Sequence, residues 1–154
     1  MLDFRPVPLD QEPARALAAA MREEMRVLYE GLDLDSPEMP KAGAAELGPP
    51  GGTFLVGFEQ DGTPVCCGGV KELPDRTCEI KRMYVVPEAR GRGVAGALLR
   101  ALEDAARELG YTVARLDTGP RQPHAERMYR RAGYEPIGNF NANPVASFFG
   151  QKSL

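Results

Sequence analysis

The chain has 154 residues, of which 43% are hydrophobic and 27% charged, and its formal net charge is -3. This length and composition predict one globular domain over residues 1–154. The longest apolar run, residues 16–21, is too short to cross a bilayer, and the N-terminal segment is unlike a signal peptide. We therefore expect a cytoplasmic protein with no membrane partner. The acidic balance and the lack of a long basic patch with interleaved aromatic residues argue against a nucleic-acid partner.

The N-terminal third predicts a strand, a helix and a loop. Residues 3–9 are expected to form an edge strand, because their two prolines have no backbone N–H group to donate to a neighbouring strand on each side. Residues 13–30 form a helix, and residues 32–52 form a loop with a short helix over residues 42–47. The apolar face of the long helix repeats at spacings of four, four and three, and consists of Leu17, Met21, Met25 and Leu28.

The middle of the chain predicts three strands. Asp61 and Gly62 make a strong turn signal between two apolar runs, so residues 53–73 are expected to form a hairpin. Residues 77–86 form a third strand whose imperfect alternation predicts a bulge near residues 83–85. Simple alternation along this strand places residues 79, 81, 83 and 85 on one face.

The C-terminal half predicts two helices and three strands. A helix over residues 94–109 is followed by a strand over residues 111–118 and a helix over residues 124–131. One further strand begins at residue 134, and the last lies within residues 145–154. This mixture indicates one mostly antiparallel sheet covered by helices. The buried stripe of the first of these helices is predicted to be Leu98, Leu102, Ala105 and Leu109.

A glycine-rich run over residues 90–96 opens the longer C-terminal helix. Main-chain N–H groups at a helix start have no internal partner, and glycines let a phosphate approach them. Gly91, Gly93 and Gly96 match a dinucleotide-binding fingerprint, and Asp117 stands where its ribose-binding acid would be. That interpretation is disfavoured, because residues 87–90 separate the strand from the first glycine and a second βαβ half is missing. A P-loop is excluded, since no lysine followed by serine or threonine comes after the last glycine.

A third pattern fits the run better: Arg90, Gly93 and Ala95 satisfy Arg/Gln-x-x-Gly-x-Gly/Ala, and MYRRAGY follows from residue 128. With these motifs the sequence resembles the GNAT superfamily of acetyl-CoA-dependent N-acetyltransferases. The resemblance covers residues 77–137 closely and the rest by element order. It implies an α/β (α+β) GNAT fold, with a central, mostly antiparallel mixed sheet of about seven strands flanked by helices. The expected order is β-α-α-β-β-β-α-β-α-β-β.

The resemblance also implies a binding site for acetyl-CoA as co-substrate. The pantetheine arm would pair with the main chain of Met83, Tyr84 and Val85, and the Val85 N–H would hold the thioester oxygen. Tyr129 matches the tyrosine that stabilises the leaving thiolate. Gln122 stands where the family often has asparagine, which weakens the expectation that it contacts the arm. The pyrophosphate would lie on the main-chain amides of Arg90, Gly91, Arg92, Gly93, Val94, Ala95 and Gly96.

The resemblance defines the acceptor site less closely than the acetyl-CoA site. Glu79 is the candidate general base, directly or through water; alternatively it is a carboxylate paired with Lys81 or a cross-strand arginine. Residues of the first long helix would line the acceptor pocket: Arg22, Met25, Arg26 and Tyr29. Acids that would attract a cationic acceptor are Asp33, Asp35 and Glu38. Asparagines that would supply hydrogen bonds are Asn139, Asn141 and Asn143.

The predicted function is transfer of the acetyl group of acetyl-CoA to a primary amine of a small molecule or peptide by direct attack. The three cysteines are expected as reduced core thiols away from the reacting thioester, and the single histidine leaves no cysteine/histidine metal site. One alternative is a non-catalytic acyl-CoA-binding sensor, and another is a transferase acting on charged tRNA. A homodimer is compatible with the sequence, although no residue requires it.

Overall fold

A computed structural model describes residues 1–154 and contains one seven-stranded sheet with three helices. The strands are β1 (Asp3–Pro6), β2 (Thr53–Phe58), β3 (Pro64–Leu73), β4 (Thr77–Val85), β5 (Val113–Thr118), β6 (Glu135–Pro136) and β7 (Phe148–Ser153). The helices are α1 (Ala14–Leu28), α2 (Val94–Glu108) and α3 (Pro123–Arg131). None of the helices combines the length and the apolarity needed to span a lipid bilayer.

The sheet has the strand order β1-β2-β3-β4-β5-β7-β6. Only β4 and β5 are parallel, and every other neighbouring pair is antiparallel. The parallel connection needs a crossover, and α2 provides it. The predicted fold class, a mostly antiparallel mixed sheet flanked by helices, is therefore confirmed.

The two faces of the sheet carry separate cores. On one face, Leu98 and Leu102 of α2 pack with Cys78 and Ile80 of β4, and Tyr129 of α3 joins the same cluster. On the other face, α1 packs against β2 and β3. The buried residues of that second cluster include Ala14, Leu17, Phe54, Val56 and Cys67. Burial on both faces explains why β2 and the first part of β3 are almost continuously apolar.

The parallel strands β4 and β5 separate part-way along their length. They pair only over residues 77–79 and 113–115, although β4 continues to Val85 and β5 to Thr118. Beyond Glu79, the main chain of β4 has a hydrogen-bonding neighbour only in β3. The gap therefore leaves one edge of β4 open inside the sheet.

A β-bulge interrupts β4 at the start of this gap. Lys81 pairs with Gly69 and Tyr84 pairs with Cys67, which leaves Arg82 and Met83 without single partners on β3. Arg82 has φ +60°, an uncommon value for a residue other than glycine. The predicted bulge is confirmed, one residue earlier than residues 83–85.

The bulge changes which side chains share a face. Val85 lies opposite Cys66 and packs against the core beneath α2, as Ile80 does. Glu79 precedes Ile80 and points to the other face, because side chains alternate along a strand. The expectation that Glu79 and Val85 share a face is therefore wrong, since the extra residue of the bulge reverses the alternation.

Two smaller expectations also differ from the structure. Residues 42–47 form hydrogen-bonded turns rather than a helix, because glycines and prolines around them prevent further helical turns from adding. The Leu47 N–H donates to the Gly43 carbonyl at 3.0 Å as a single turn. Leu109 is 39% exposed rather than part of the buried stripe, since α2 ends at Glu108 and the chain turns away.

Candidate active site

The glycine loop, residues 90–96, presents main-chain donors at the start of α2. Gly91 and Gly93 have φ +78° and +77°, values that favour glycine, and Gly93 is the N-cap of α2. The first bond into this helix runs from the Ala97 N–H to the Gly93 carbonyl at 3.2 Å, and the N–H groups of residues 91–96 have no acceptor in the chain. A Cβ added at either glycine would meet nothing within 4 Å. The donors therefore face open space, as an anion site requires.

A large cavity of about 480 Å³ lies between this loop, β4, α1 and α3. Arg92 is the one residue of the predicted cofactor set outside it, and its guanidinium lies 3.5 Å from Glu59 instead. The predicted residues that line the cavity are Met83, Tyr84, Val85, Arg90, Gly91, Gly93, Val94, Ala95, Gly96, Gln122 and Tyr129.

Main-chain groups of β4 face the same cavity. The Val86 N–H donates to the Val65 carbonyl at 2.9 Å. Bonds alternate between the two sides of an antiparallel strand, so the N–H and carbonyl of Val85 point away from β3 into the gap. The Val85 carbonyl there accepts a hydrogen bond from Arg90 Nε at 2.9 Å.

Arg90 fixes the position of the glycine loop. In addition to its bond to Val85, its guanidinium donates to Glu24 of α1 at 2.7 Å and lies 5.6 Å from the centre of the Tyr84 ring. These contacts tie the loop to β4 and α1. The side chain of Arg90 is thus engaged within the protein, while its neighbours supply free main-chain donors.

A small cavity of about 120 Å³ adjoins the large one. It lies where β4 and β5 have separated, and the loop after α1 covers part of it. The residues that line both cavities are Met21, Met25, Met83, Gln122 and Tyr129. These five side chains form the junction at which a molecule in one cavity meets a molecule in the other.

Tyr129 is a buried donor at this junction. Its hydroxyl has only the weak acceptor Met83 Sδ, at 3.7 Å, within the chain. Burial raises the pKa of Tyr129 above its ordinary value, and the negative charge of Asp117 adds to the effect. The phenol consequently stays protonated at neutral pH and can donate to a group that gains negative charge.

The α1 residues predicted for the acceptor do not all reach the small cavity. Met25 and Tyr29 line it, whereas Arg26 is exposed and pairs with Glu23 at 2.7 Å. Arg22 does not line it either, and its Nε lies 3.7 Å from Asp35. Of the three loop acids predicted to attract a cation, Asp35 is therefore engaged by arginine.

Gln122 holds α3 against α1. Its side-chain oxygen accepts a hydrogen bond from the Tyr29 hydroxyl at 3.0 Å, which leaves its NH₂ group for a ligand. A Cβ at Gly119 would collide with the Tyr29 hydroxyl, so glycine is required at that close approach. Gln122 thus has a structural partner that the sequence did not indicate.

Glu79 is buried beside the small cavity rather than in it. Its side chain is 1% exposed, and Oε2 accepts from Lys81 at 3.1 Å and from Asn141 at 2.8 Å. The other oxygen, Oε1, is buried without a partner. Pairing with Lys81 is the arrangement that the sequence analysis gave as the alternative to a general base. Glu79 as a base remains a prediction, and its burial makes direct contact with an acceptor unfavourable.

Asp117 is the acid that does line the small cavity. Its Oδ2 accepts from the side-chain amides of Asn141 at 2.8 Å and Asn143 at 3.0 Å. The Asn139 side chain in turn donates to the Asn143 carbonyl at 3.1 Å, so the three predicted asparagines brace one loop. In the sequence, Asp117 matches only the ribose-binding position of the disfavoured dinucleotide fold. Its position near the end of β5, the strand parallel to β4, was the feature that could have identified it as a site residue.

The family model described as the Acetyltransferase (GNAT) family matches residues 15–134 of the chain. The chain belongs to the GNAT acetyltransferase family. A relative from Azospirillum brasilense named IAA acetyltransferase is 36% identical over 105 residues, which are 66% of this chain and 67% of that protein. Two further curated relatives are matched over 62% and 54% of their own lengths.

Solved structures agree with this assignment. A candidate acyl-CoA N-acyltransferase from Klebsiella pneumoniae superposes with a TM-score of 0.79 at 29% identity, over 100% of this chain and 98% of the other. The PaiA N-acetyltransferase of Thermoplasma acidophilum, solved in complex with coenzyme A, has a TM-score of 0.69 at 17% identity, over 100% and 99% of the two chains. The second comparison shows a shared fold.

The cysteines of this GNAT domain lie closer to the junction than expected. Cys66 pairs with Val85 and Cys67 with Tyr84 across the β3–β4 ladder, so the expectation that they lie away from the site is wrong. Both are fully buried, as the expected core thiols are. Burial raises the pKa of Cys66 to about 11 and that of Cys67 to about 12, so neither forms a thiolate nucleophile at neutral pH.

Proposed function

We propose that this GNAT domain transfers the acetyl group of acetyl-CoA to a primary amine of a small molecule or peptide, without a covalent enzyme intermediate. One observation carries the proposal: two cavities meet at Tyr129, and one of them is lined by free main-chain donors of a glycine loop. A transferase of this kind needs one site for a phosphorylated donor and a second site for the acceptor. The junction would bring the two reacting groups together.

The large cavity fits the diphosphate and pantetheine parts of coenzyme A. Unpaired N–H groups over residues 91–96 suit the diphosphate, and the open edge of β4 suits an extended amide chain, which would add like another strand. The complex of a fold relative with coenzyme A supports the same occupant. Acetyl-CoA would supply the activated acetyl group.

Direct transfer balances without any further reactant. The neutral amine nitrogen bonds to the acetyl carbonyl carbon, the carbon–sulfur bond breaks, and coenzyme A leaves as a thiol. The amine loses one proton and sulfur gains one. The Val85 N–H, directed into the gap, would donate to the carbonyl oxygen as negative charge develops on it. Preorganised donors of this kind act strongly because they need no reorganisation.

Tyr129 and Asp117 would stabilise the leaving sulfur and the acceptor amine, while the proton that the amine loses and the proton that sulfur gains would be exchanged with solvent. Because burial raises the pKa of Tyr129, its phenol would act mainly as a hydrogen-bond donor to the leaving sulfur rather than as a complete proton source. Asp117 would accept a hydrogen bond from the acceptor amine, and Glu79 would hold Lys81 and Asn141 in place. This assignment competes with Glu79 as the general base, acting directly or through water.

The proposed class of partner rests on the net charge of the chain and on the volume of the small cavity. The acidic balance of the chain supports a small acceptor over a nucleic acid, and we include a cytoplasmic location and no membrane partner in the proposal. The small cavity, about 120 Å³, suits a small molecule or a peptide end. A homodimer stays a prediction.

The competing function is an acyl-CoA sensor without catalysis. Such a sensor would need only the large cavity, whereas the second cavity with Asp117 and Tyr129 favours an enzyme. Calorimetry with acetyl-CoA, followed by thiol release with a panel of primary amines, separates the two. We expect binding and acceptor-dependent thiol release. Binding with no release across amino acids, polyamines and peptides would favour the sensor, and tight, salt-sensitive RNA binding would favour the tRNA-directed enzyme.

A further inference from the structure

Arg82 is a buried cation that the proposed chemistry does not use. It lines the small cavity, and its side chain is only 9% exposed. Burial lowers the pKa of Arg82 through desolvation, with Asp35 opposing the effect and Arg22 adding to it. A guanidinium nevertheless stays charged in proteins, so the cavity wall carries a fixed positive charge.

The protein supplies this charge with a poor partner. Asp35 is the only carboxylate within 4.0 Å, and its Oδ1 lies 3.6 Å from Arg82, beyond good hydrogen-bonding distance. The Asp35 side chain is 64% exposed and also faces Arg22 at 3.7 Å. One solvated acid between two arginines leaves one positive charge unbalanced.

The bulge in β4 is what places this charge in the cavity. Arg82 takes the left-handed conformation there, at φ +60°, and it replaces the simple alternation of the strand. A buried charge without a close partner is costly, and strained residues persist only where the surroundings hold them. Both features point to a ligand that completes the site.

The other charged groups of the cavity do not compete for an anion. Lys81 lines the cavity but is paired with Glu79 at 3.1 Å. Asp117 is negative, and it lies near enough to Tyr129 to raise the pKa of that phenol. Positive Arg82 and negative Asp117 therefore give the cavity two kinds of charge. Its apolar lining consists largely of Met21, Met25, Leu32, Leu34, Met39 and Ile80.

We propose that the acceptor carries a carboxylate as well as its amine, and that Arg82 binds this carboxylate in the small cavity. The inference rests on the proposed function, whose acceptor it names as an amino acid with an apolar side chain. The planar guanidinium matches a carboxylate with two parallel hydrogen bonds. The amine would then lie toward Asp117 and the junction. Arg82 acts as a specificity residue, since it touches the acceptor and not the transferred group.

The test compares acceptors that differ only in the carboxylate. The probes are leucine, methionine and phenylalanine, with the carboxamide and the decarboxylated amine of each. Binding to the protein saturated with coenzyme A is measured by calorimetry, which needs no turnover. We expect the best amino acid to bind about 30-fold more tightly than its carboxamide, as a charge-assisted hydrogen bond provides. Equal affinity, or no binding of any amino acid, would overturn the inference.

A variant tests the residue itself. Arg82→Gln should weaken binding of the amino acid to the level of its carboxamide while leaving coenzyme A affinity unchanged, and Arg82→Lys should restore part of the preference. Arg107→Gln removes an exposed arginine that pairs with Asp104 at 2.9 Å, and it is the matched control with no expected effect. If the Arg82→Gln protein does not fold, the comparison of probes on the wild-type protein still decides.

The two proposals fail separately. Thiol release with amines but no preference for the carboxylate would remove the inference and keep the transferase. Preferred binding of amino acids with no thiol release from acetyl-CoA would keep the carboxylate site and remove the transferase. Tighter binding of phosphoethanolamine than of any amino acid would show that Arg82 selects phosphate, which would overturn the carboxylate assignment.

Discussion

The two cavities are built from different kinds of chemical group. The large cavity presents main-chain N–H groups of one continuous loop at a helix start, together with the open edge of one strand. The small cavity presents side chains from segments far apart in the chain, among them Met25, Arg82, Asp117 and Asn143. Main-chain recognition needs only a local conformation, whereas side-chain recognition depends on how distant segments pack. One domain can therefore keep a main-chain site while its side-chain site varies.

The largest effect is expected at the junction that both cavities share. Tyr129→Phe removes the only hydroxyl there, which lacks a strong partner, so kcat should fall about 100-fold, as for loss of one preorganised hydrogen-bond donor, with little change in either KM. Steady-state thiol release measures this. Because burial raises the pKa of Tyr129, the wild-type rate should keep rising with pH as the acceptor amine deprotonates, with no fall from phenol ionisation below about pH 10.

Tyr134→Phe is the matched control for this variant. The Tyr134 ring lies 6.2 Å from the Tyr129 ring and is also buried, but its hydroxyl donates to Glu103 at 2.8 Å, away from both cavities. It should cost about 1 to 3 kcal/mol of unfolding free energy and leave kcat unchanged. Equal losses of kcat in both variants would mean that Tyr129 acts only through packing.

Variants of two carboxylates test which acid contacts the acceptor in the small cavity. Asp117→Asn should lower kcat/KM for the acceptor about 30-fold through loss of a charge-assisted hydrogen bond, and Glu79→Gln should lower it less. Neither variant should change KM for acetyl-CoA. A larger loss in Glu79→Gln, with the pH profile of kcat/KM shifted only in that variant, would identify Glu79 as the base and contradict the geometric assignment.

A smaller effect is expected from a change in the large cavity. Gly93→Ala forces a side chain into φ +77°, at a strain of about 1 to 2 kcal/mol, so acetyl-CoA should bind roughly 10-fold more weakly. Gly110→Ala, at φ +94° just beyond the C-terminal end of α2, carries a similar strain at the other end of that helix. It should lower the melting temperature without changing affinity for acetyl-CoA. Calorimetry on both proteins distinguishes loss of the main-chain binding site in the glycine loop from a general loss of stability.

The smallest effect on activity is expected from the buried thiols behind the junction. The Cys66→Ala/Cys67→Ala/Cys78→Ala protein should keep kcat within about twofold, because burial holds these thiols neutral. A folded triple variant with no turnover would contradict direct transfer.

The same thiols should affect stability at alkaline pH. Burial raises the pKa of Cys67 to about 12, above the value of about 8.5 for a free thiol, so the unfolded chain loses its proton first. The stabilising contribution is fully present below about pH 8.5 and is lost as the pH rises toward 12. Urea unfolding from pH 8 to 10.5 should show a smaller fall in the Cys67→Ala variant than in the wild type. An identical fall in both proteins would exclude this contribution.

The sequence by itself determined the order of the main strands and helices and the glycine loop of the large cavity. Apolar periodicity, the Asp61-Gly62 turn and the glycine loop act over a few residues, so the main strands and helices follow the predicted order, and eleven of the twelve predicted cofactor-site residues line the large cavity. The twelfth, Arg92, turns away to Glu59, and Gln122 lines the cavity but is held by Tyr29.

The tertiary structure decided the lining of the small cavity. A bulge of one residue reversed the face of Val85 relative to Glu79 and placed Arg82 in the small cavity. Because β4 and β5 separate, Asp117 of β5 lines the cavity between these two strands. The loop that carries Asn141 packs over Glu79 and contributes to its burial. Such effects arise from pairing between segments distant in the chain, where one inserted residue exchanges inside and outside, so local sequence patterns could not reveal them.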